Sequence, residues 1–405
     1  MTGSLDGVRI FDMTRILAGP SCTQVLGDLG ADVIKVEKPG TGDDTRRWGP
    51  PYLRDTAGNE TSEAAYFLAA NRNKRSLTLD VAKPQGQEIA RRLIAQCDVL
   101  VENFKTGNLA RYGLGYADLS DEYPSLVYCS VTGFGQTGPY APRPGYDFLA
   151  QAMGGIMSLT GEPESTPSKV GIGIADMMCG MYSCVSILAA LRHRDGTGQG
   201  QHIDMALLDT QVAWLNYEAE NYLVSGKTPT RVGNAHPNIV PYDACPASDG
   251  HVIIAAGNDR QFRAFCTFAG ALELADDPAF ASNDKRIRNR ADLMSRIKSI
   301  TVKKPIQYWI DGLVGAGVPC SPVNTLDRVF EDPQVKARNM RIEMDHPVSE
   351  GVKVPLVASP IKMSATPPNH RRPPPMLGQH TEEVLRELLA MSDGEIAELR
   401  GGDVI

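Results

Sequence analysis

Apolar positions come in short runs near the start of the chain, each followed by a longer segment with helical spacing. The run "VRIFDMT" (8–14) has the length of a buried strand, and "AGPSCTQVLGDLGA" (18–31) reads as a helix entered through Pro20 and closed near Gly30. The strand pattern returns in "DVIKVEKP" (32–39), "SLTLDV" (76–81), "DVLVENF" (98–104) and "LVYCSVTGF" (126–134), with a helix predicted from about Pro84 to Cys97. Strands separated by helices imply an α/β fold: a mostly parallel sheet in a Rossmann-like large domain. Such sheets bind ligands beyond the carboxyl ends of their strands. Arg15, Lys38, Asn103, Phe104 and Thr132 fall there.

The pattern changes near 225–245, where Gly, Pro and Asn concentrate as in a linker or binding loop. A smaller α/β unit then begins at "GHVIIAAG" (250–257), with helices predicted near 259–270, 290–300 and 305–315. A Pro-studded return follows Val318, and "RRPPPMLGQH" (371–380) leads into an amphipathic helix, "TEEVLRELLAM" (381–391). A chain of 405 residues exceeds one ordinary core. We expect a discontinuous large domain of 1–225 and 330–405, and a small domain of 226–329.

Composition narrows the function. With 42% hydrophobic and 22% charged residues the chain is of globular type, and a net charge of −7 argues against general nucleic-acid binding. Any anionic ligand then needs a local basic cluster. Arg46 and Arg47 in "GDDTRRWGPP" (42–51), and Arg72, Lys74 and Arg75 in "NRNKRSL" (71–77), either grip phosphates or carboxylates or stand as solvated loop charge. The eight cysteines form no CxxC pair and the seven histidines no HxxxH or HExxH. Buried free thiols in a reducing cytosol and no metal site are the expectation. Asp6 and Arg9 interrupt any leader sequence, and no stretch of about 18 residues reads as apolar enough to span a bilayer. The expected location is therefore the cytoplasm. "GFGQTG" (133–138) has the form of a dinucleotide fingerprint, but Pro139, Pro142 and Pro144 follow where a helix is required. A loop over a ligand fits better.

One carboxylate stands among glycines and apolar residues, Asp176 in "GIGIADMMCGMYSCVSILAAL" (171–191). It precedes a helical face of Met177, Met181, Cys184, Leu188 and Leu191, so helix capping and catalysis are both open. A carboxylate on a helix N-terminus is expected to keep a low pKa and stay ionised, as a nucleophile must.

Over nearly its whole length the chain resembles the class III CoA-transferases, the formyl-CoA transferase and carnitine CoA-transferase group. The likeness rests on "LDGVRIFDMTRILAGPSCTQVLGDLGADVIKVEKPGTGDDTR", "NRNKRSLTLD", "DVLVENF", "ADMMCGMYSCVSILAAL", "GTGQGQHIDMALLD" and "PPPMLGQHTEEVL". "GDDTRRWGPP", "GNAHPNIVPY" (233–242), "AAGNDRQF" (255–262) and "GVPCSPVN" (317–324) are similar to the branch acting between succinyl-CoA and glutarate. The resemblance implies that Asp176 is the nucleophile and that CoA is carried on it as an aspartyl-CoA thioester. It implies CoA contacts at Leu17, Ala18, Lys38, Asn103, Phe104, Arg111, Thr132, Gly133 and Phe134, with Thr132 standing where the family has a lysine. A CoA thioester is then the substrate, no cofactor is permanently bound, and two chains thread each other as an interlocked homodimer.

Departures from formyl-CoA transferase bear on the substrate. Leu17 replaces a glutamine that serves a very small acid, and the tetraglycine loop has no counterpart. Succinyl-CoA as donor and a C4–C6 diacid as acceptor are expected: glutarate, itaconate, mesaconate, malate or citramalate. Arg15 and Arg46 are the candidates for the distal carboxylate, and His236 for the acyl pocket. Alternatives are intramolecular CoA transfer, an α-methylacyl-CoA racemase and a catalytically silent CoA-binding protein. The racemase needs a histidine where this chain has Tyr146, a poor base at neutral pH.

Overall fold

The structure, a computed structural model, describes residues 3–405. The chain divides into two compact units. One comprises the chain up to Ile156, Lys169–Val224 and Gln334–Ile405, and the other comprises Met157–Ser168 and Ser225–Pro333. Residues 157–168 thus join the small unit, not the large one as expected. Tertiary bonds that local pattern does not announce tie them there: Gly233 N donates to Gly161 O (3.1 Å) and Arg231 Nε to Glu162 O (3.2 Å).

The large unit is built on six strands: β1 (Arg9–Met13), β2 (Asp32–Glu37), β3 (Lys74–Thr78), β4 (Val99–Glu102), β5 (Val127–Thr132) and β6 (His202–Ala206). Their order is β3-β2-β1-β4-β5-β6, and every neighbouring pair is parallel. Helices α1 (Ala18–Asp28), α2 (Pro84–Ile94), α3 (Asp147–Met153) and α4 (Ile174–Thr197) belong to the same unit. Successive strand residues point to opposite faces. Ile10, Val99 and Cys129 therefore pack with Cys22 and Leu26 of α1 and Cys179 and Ile187 of α4. Phe11, Leu100 and Tyr128 pack on the other side with Ile89 and Leu93 of α2 and with Val384 and Leu385 of the helix Thr381–Leu389. Each such fully buried aliphatic side chain stabilises the fold by about 1.5–3 kcal/mol.

Two expectations need correction. The third strand starts at Lys74, not Ser76, because Lys74 and Arg75 are buried in ion pairs and belong to the strand despite their charge. Helix α4 is also long and apolar enough to cross a membrane by length and composition alone, against the reading that no stretch is. Part of its apolar character serves the interior. At Gly180 it crosses α1 so closely that a Cβ would lie 2.5 Å from Ala18 O.

The small unit carries a three-stranded antiparallel sheet, ordered Cys320–Pro322, Gly250–Ala255, Tyr242–Ala247. Phe262, Phe265, Leu293, Ile297, Trp309 and Leu313 from the helices Asp259–Phe268, Arg290–Thr301 and Ile306–Gly315 form its core.

Candidate active site

The sheet reverses its direction of winding between β1 and β4, and a cleft open to solvent lies at the carboxyl ends of those strands. The turn from β1 to α1 contributes Arg15, Ile16, Leu17 and Ala18. The chain after β4 contributes Asn103 and Phe104, the end of β5 Thr132 and Gly133, and the first turn of α4 Asp176. Gly133 crosses Gly145 so tightly that a Cβ on either would lie 2.4 Å from the other's Cα. Glycine is needed there to bring the loop at 143–146 into the wall. Ile16 has φ +74°, a left-handed conformation costing a β-branched residue about 1–3 kcal/mol.

Asp176 does not cap its helix. It stands at the third helical position, behind the N-cap residue Gly173, which has no capping side chain. The cap comes from Asp147 at the start of α3, whose Oδ1 accepts from Ala175 N (2.8 Å) and Asp176 N (3.3 Å). Gln151 Nε2 steadies the other oxygen of Asp147 at 2.7 Å. The Asp176 carboxylate is nine-tenths buried, faces the cleft and has no hydrogen-bond or ion-pair partner among the described residues.

Burial, and after it the Asp147 carboxylate, push Asp176 from 3.8 up to about 7. The expectation of a low pKa therefore fails. The helix amides that would have held it down are taken by Asp147. Burial, followed by Asp176 and Asp147, also raises the nearby Tyr66 phenol, which stays neutral. Because the carboxylate is the reactive form, kcat/KM for acyl-CoA should fall tenfold per pH unit below an acid limb at about 7. A pH–rate profile checks this. A limb near 4 would contradict the assignment, and Asp147→Asn should move the limb downward by removing the like charge.

The cleft brings together Arg15, Leu17, Ala18, Asn103, Phe104, Thr132, Gly133 and Asp176, whereas Lys38, Arg111 and Phe134 lie outside its lining. Arg15 is exposed, pairs with Asp44 (3.1 Å) and sits 5.7 Å above the Phe104 ring. His236 belongs to the small unit, where its Nδ1 accepts from Asn238 N (3.1 Å) and its ring lies 5.2 Å from that of Tyr242.

The role given to Arg46 must be corrected. Its guanidinium is buried in a two-point pair with Glu37 (2.8 Å each), donates to Pro375 O (3.1 Å) and lies 3.7 Å over Phe67. It is committed to the interior and does not line the cleft. The same holds for the other basic cluster: Arg72 pairs with Asp28, Lys74 with Asp12, and Arg75 with Asp32 and Glu387. These cations are neither phosphate grips nor solvated loop charge.

Several residues of the site escaped sequence reading: in the cleft wall Lys105, Thr106, whose buried Oγ1 has no partner among the described residues, and Arg143 stacked 3.9 Å over Tyr140, and behind Asp176 the capping Asp147. The one sequence signal for the cap was Asp147 with Gln151 four residues on, a pairing spacing on a helix. Tyr146 lines the cleft and no histidine does. Among the described residues no cluster of His, Cys, Asp or Glu is placed to hold a metal ion.

Comparison with known proteins places the chain in a family. The family model for CoA-transferase family III matches residues 5–381. A succinate–glutarate CoA-transferase of Agrobacterium fabrum is 47% identical over 384 residues, 95% of each chain. A succinyl-CoA:glutarate CoA-transferase of Homo sapiens is 42% identical over 401 residues, covering 99% of this chain and 90% of its own. The crystal structure of a CAIB/BAIF family protein from Brucella suis superposes with a TM-score of 0.84 at 49% identity, covering 96% of this chain and all (100%) of that one. With a family model spanning nearly the whole sequence and relatives alike from end to end, the chain belongs to CoA-transferase family III.

Proposed function

We propose that the protein moves CoA from succinyl-CoA to a C4–C6 dicarboxylic acid, with Asp176 as the covalent carrier. The observation that carries this reading is the buried, unpartnered carboxylate facing the switch-point cleft. The Asp176 carboxylate attacks the thioester carbonyl; a mixed anhydride forms and CoA thiolate leaves. The thiolate then attacks the Asp176 acyl carbon, giving an aspartyl-CoA thioester and freeing succinate. The acceptor carboxylate attacks that thioester, and the released thiolate attacks the new acyl group, which restores Asp176. No proton is gained or lost, and the covalent intermediate splits one exchange into easier steps.

The relatives named for glutarate and succinyl-CoA support a dicarboxylate substrate. So do the cations of the cleft wall, Arg15, Lys105 and Arg143, of which, among the described residues, only Arg15 has a carboxylate partner. A guanidinium suits a planar carboxylate. Arg15→Ala is expected to raise the acceptor KM about 10- to 100-fold and to leave the KM for acetate-like monoacids unchanged. An unchanged diacid KM would remove Arg15 from the assignment. Initial rates with succinyl-CoA and a panel of C4–C6 diacids test the reaction itself. Transfer that needs no separate acceptor would show the intramolecular reaction instead.

A homodimer, in which the two chains interlock, is part of the same reading. Its support is an apolar surface on the large unit: Phe148, Leu149 and Met153 of α3 with Met181, Tyr182 and Val185 of α4 are all exposed. Such a surface favours coverage by a second chain.

A further inference from the structure

Three consecutive residues of the turn from β1 to α1 are held through their backbone by side chains from elsewhere in the large unit. Thr14 O accepts from the buried Lys35 Nζ at 2.9 Å. Arg15 N donates to Asn103 Oδ1 (2.9 Å), and Arg15 O accepts from Asn103 Nδ2 (2.7 Å). Ile16 N donates to Asp43 Oδ1 (3.2 Å), an oxygen that also accepts from Thr45 N and Oγ1 while Lys35 pairs with the other one. At the centre of these bonds Ile16 keeps φ +74°. A β-branched residue holds that conformation only where its surroundings over-determine it. The next residues, Leu17 and Ala18, form part of the wall of the cleft that holds Asp176.

We infer that Asn103 is a positioning residue for the transfer step. Both polar atoms of its amide bond the backbone of Arg15, so they fix the strained turn and with it the wall that faces the reacting thioester. Released from this two-point bond, the turn relaxes toward negative φ and the wall moves with it. Displacements of this kind lower the rate of a positioned reaction more than they weaken binding. The inference rests on the reading of Asp176 as nucleophile.

The test compares Asn103→Ala in the full-length protein with the same change made in an Ile16→Gly background. Glycine adopts positive φ without strain, so the turn no longer depends on the clamp. In the otherwise native protein kcat should fall about 10- to 100-fold, with the acyl-CoA KM and the Kd of CoA measured by calorimetry each moving less than about threefold. In the Ile16→Gly background the same substitution should cost several-fold less. A Kd for CoA that rises while kcat holds, or an equal loss in both backgrounds, would overturn the inference. Should Asn103→Ala not fold, Asn103→Asp keeps the shape, sets an acceptor against Arg15 O and is expected to give the same split. Formation of the Asp176 adduct in the unmodified protein is measured alongside. Its absence would overturn the nucleophile reading, whereas the role of Asn103 stands or falls on the ratio of losses.

Discussion

Asp176→Asn should abolish CoA transfer, by at least about 10⁴-fold, and should make the folded protein more stable near pH 8. The two effects share one cause. Burial and the Asp147 carboxylate raise the Asp176 carboxyl from 3.8 to about 7, so the folded state binds a proton that the unfolded chain releases. For an acid shifted this way, stability is greatest below the ordinary pKa. It falls as pH rises through roughly 4 to 7 and is flat above. The displacement sets a ceiling of about 4 kcal/mol on the penalty carried by the ionised protein. An amide of the same shape carries no charge and escapes it. Thermal unfolding of both proteins should therefore give coincident Tm values near pH 4 and a higher Tm for the variant near pH 8. An inactive variant with no pH-dependent gain in Tm would show that the carboxylate is not held against its solvation preference.

The largest loss of stability is expected from Lys74→Met, about 3–5 kcal/mol. Lys74 is fully buried and donates to Asp12 Oδ2 (3.2 Å), Pro20 O (2.9 Å) and Asn71 Oδ1 (3.0 Å). Burial opposes ionisation of Asp12, but Lys74, Lys35 and the hydroxyls of Thr14 and Thr23 outweigh it and hold the carboxyl below its usual range. Methionine matches the length of lysine, so packing is nearly kept. What is lost is the partner of a buried carboxylate, together with the donor to a helix carbonyl. Because Asp12 also accepts from Thr14 N, directly before the cleft turn, acyl-CoA binding should weaken in the same variant. Chemical denaturation measures the loss, and a change below about 1 kcal/mol would mean that Lys35 alone suffices for Asp12.

The sheet was legible in the sequence wherever a strand is buried through apolar side chains. Runs such as "VRIFD" and "VLVE" have no stable place except between two helical layers. β6 was not legible: "HIDMA" sits at the sheet edge and mixes polar with apolar residues. Lys74 and Arg75 misled in a different way. Their charge reads locally as exposure, but their partners Asp12, Asp32 and Glu387 lie far along the chain and become visible only in three dimensions. Arg46 failed as a substrate residue for another reason: its partner Glu37 is only nine positions away, but that it is turned inward at the end of β2 shows only in the fold. At the site, glycines around an isolated carboxylate pointed to Asp176. The residue that actually caps its helix, Asp147, was hidden 29 positions away. Burial first, and then the charge of this distant residue, gave the pKa shift the opposite sign to the expectation.

The central claim is that CoA travels on the side chain of Asp176. The most direct test incubates the native protein with succinyl-CoA, quenches with hydroxylamine and maps the peptides by mass spectrometry. A hydroxamate at Asp176, formed only when acyl-CoA is present, is the predicted result. Full transfer activity with Asp176 unmodified, or with the label on another carboxylate such as the buried Glu102, would contradict it.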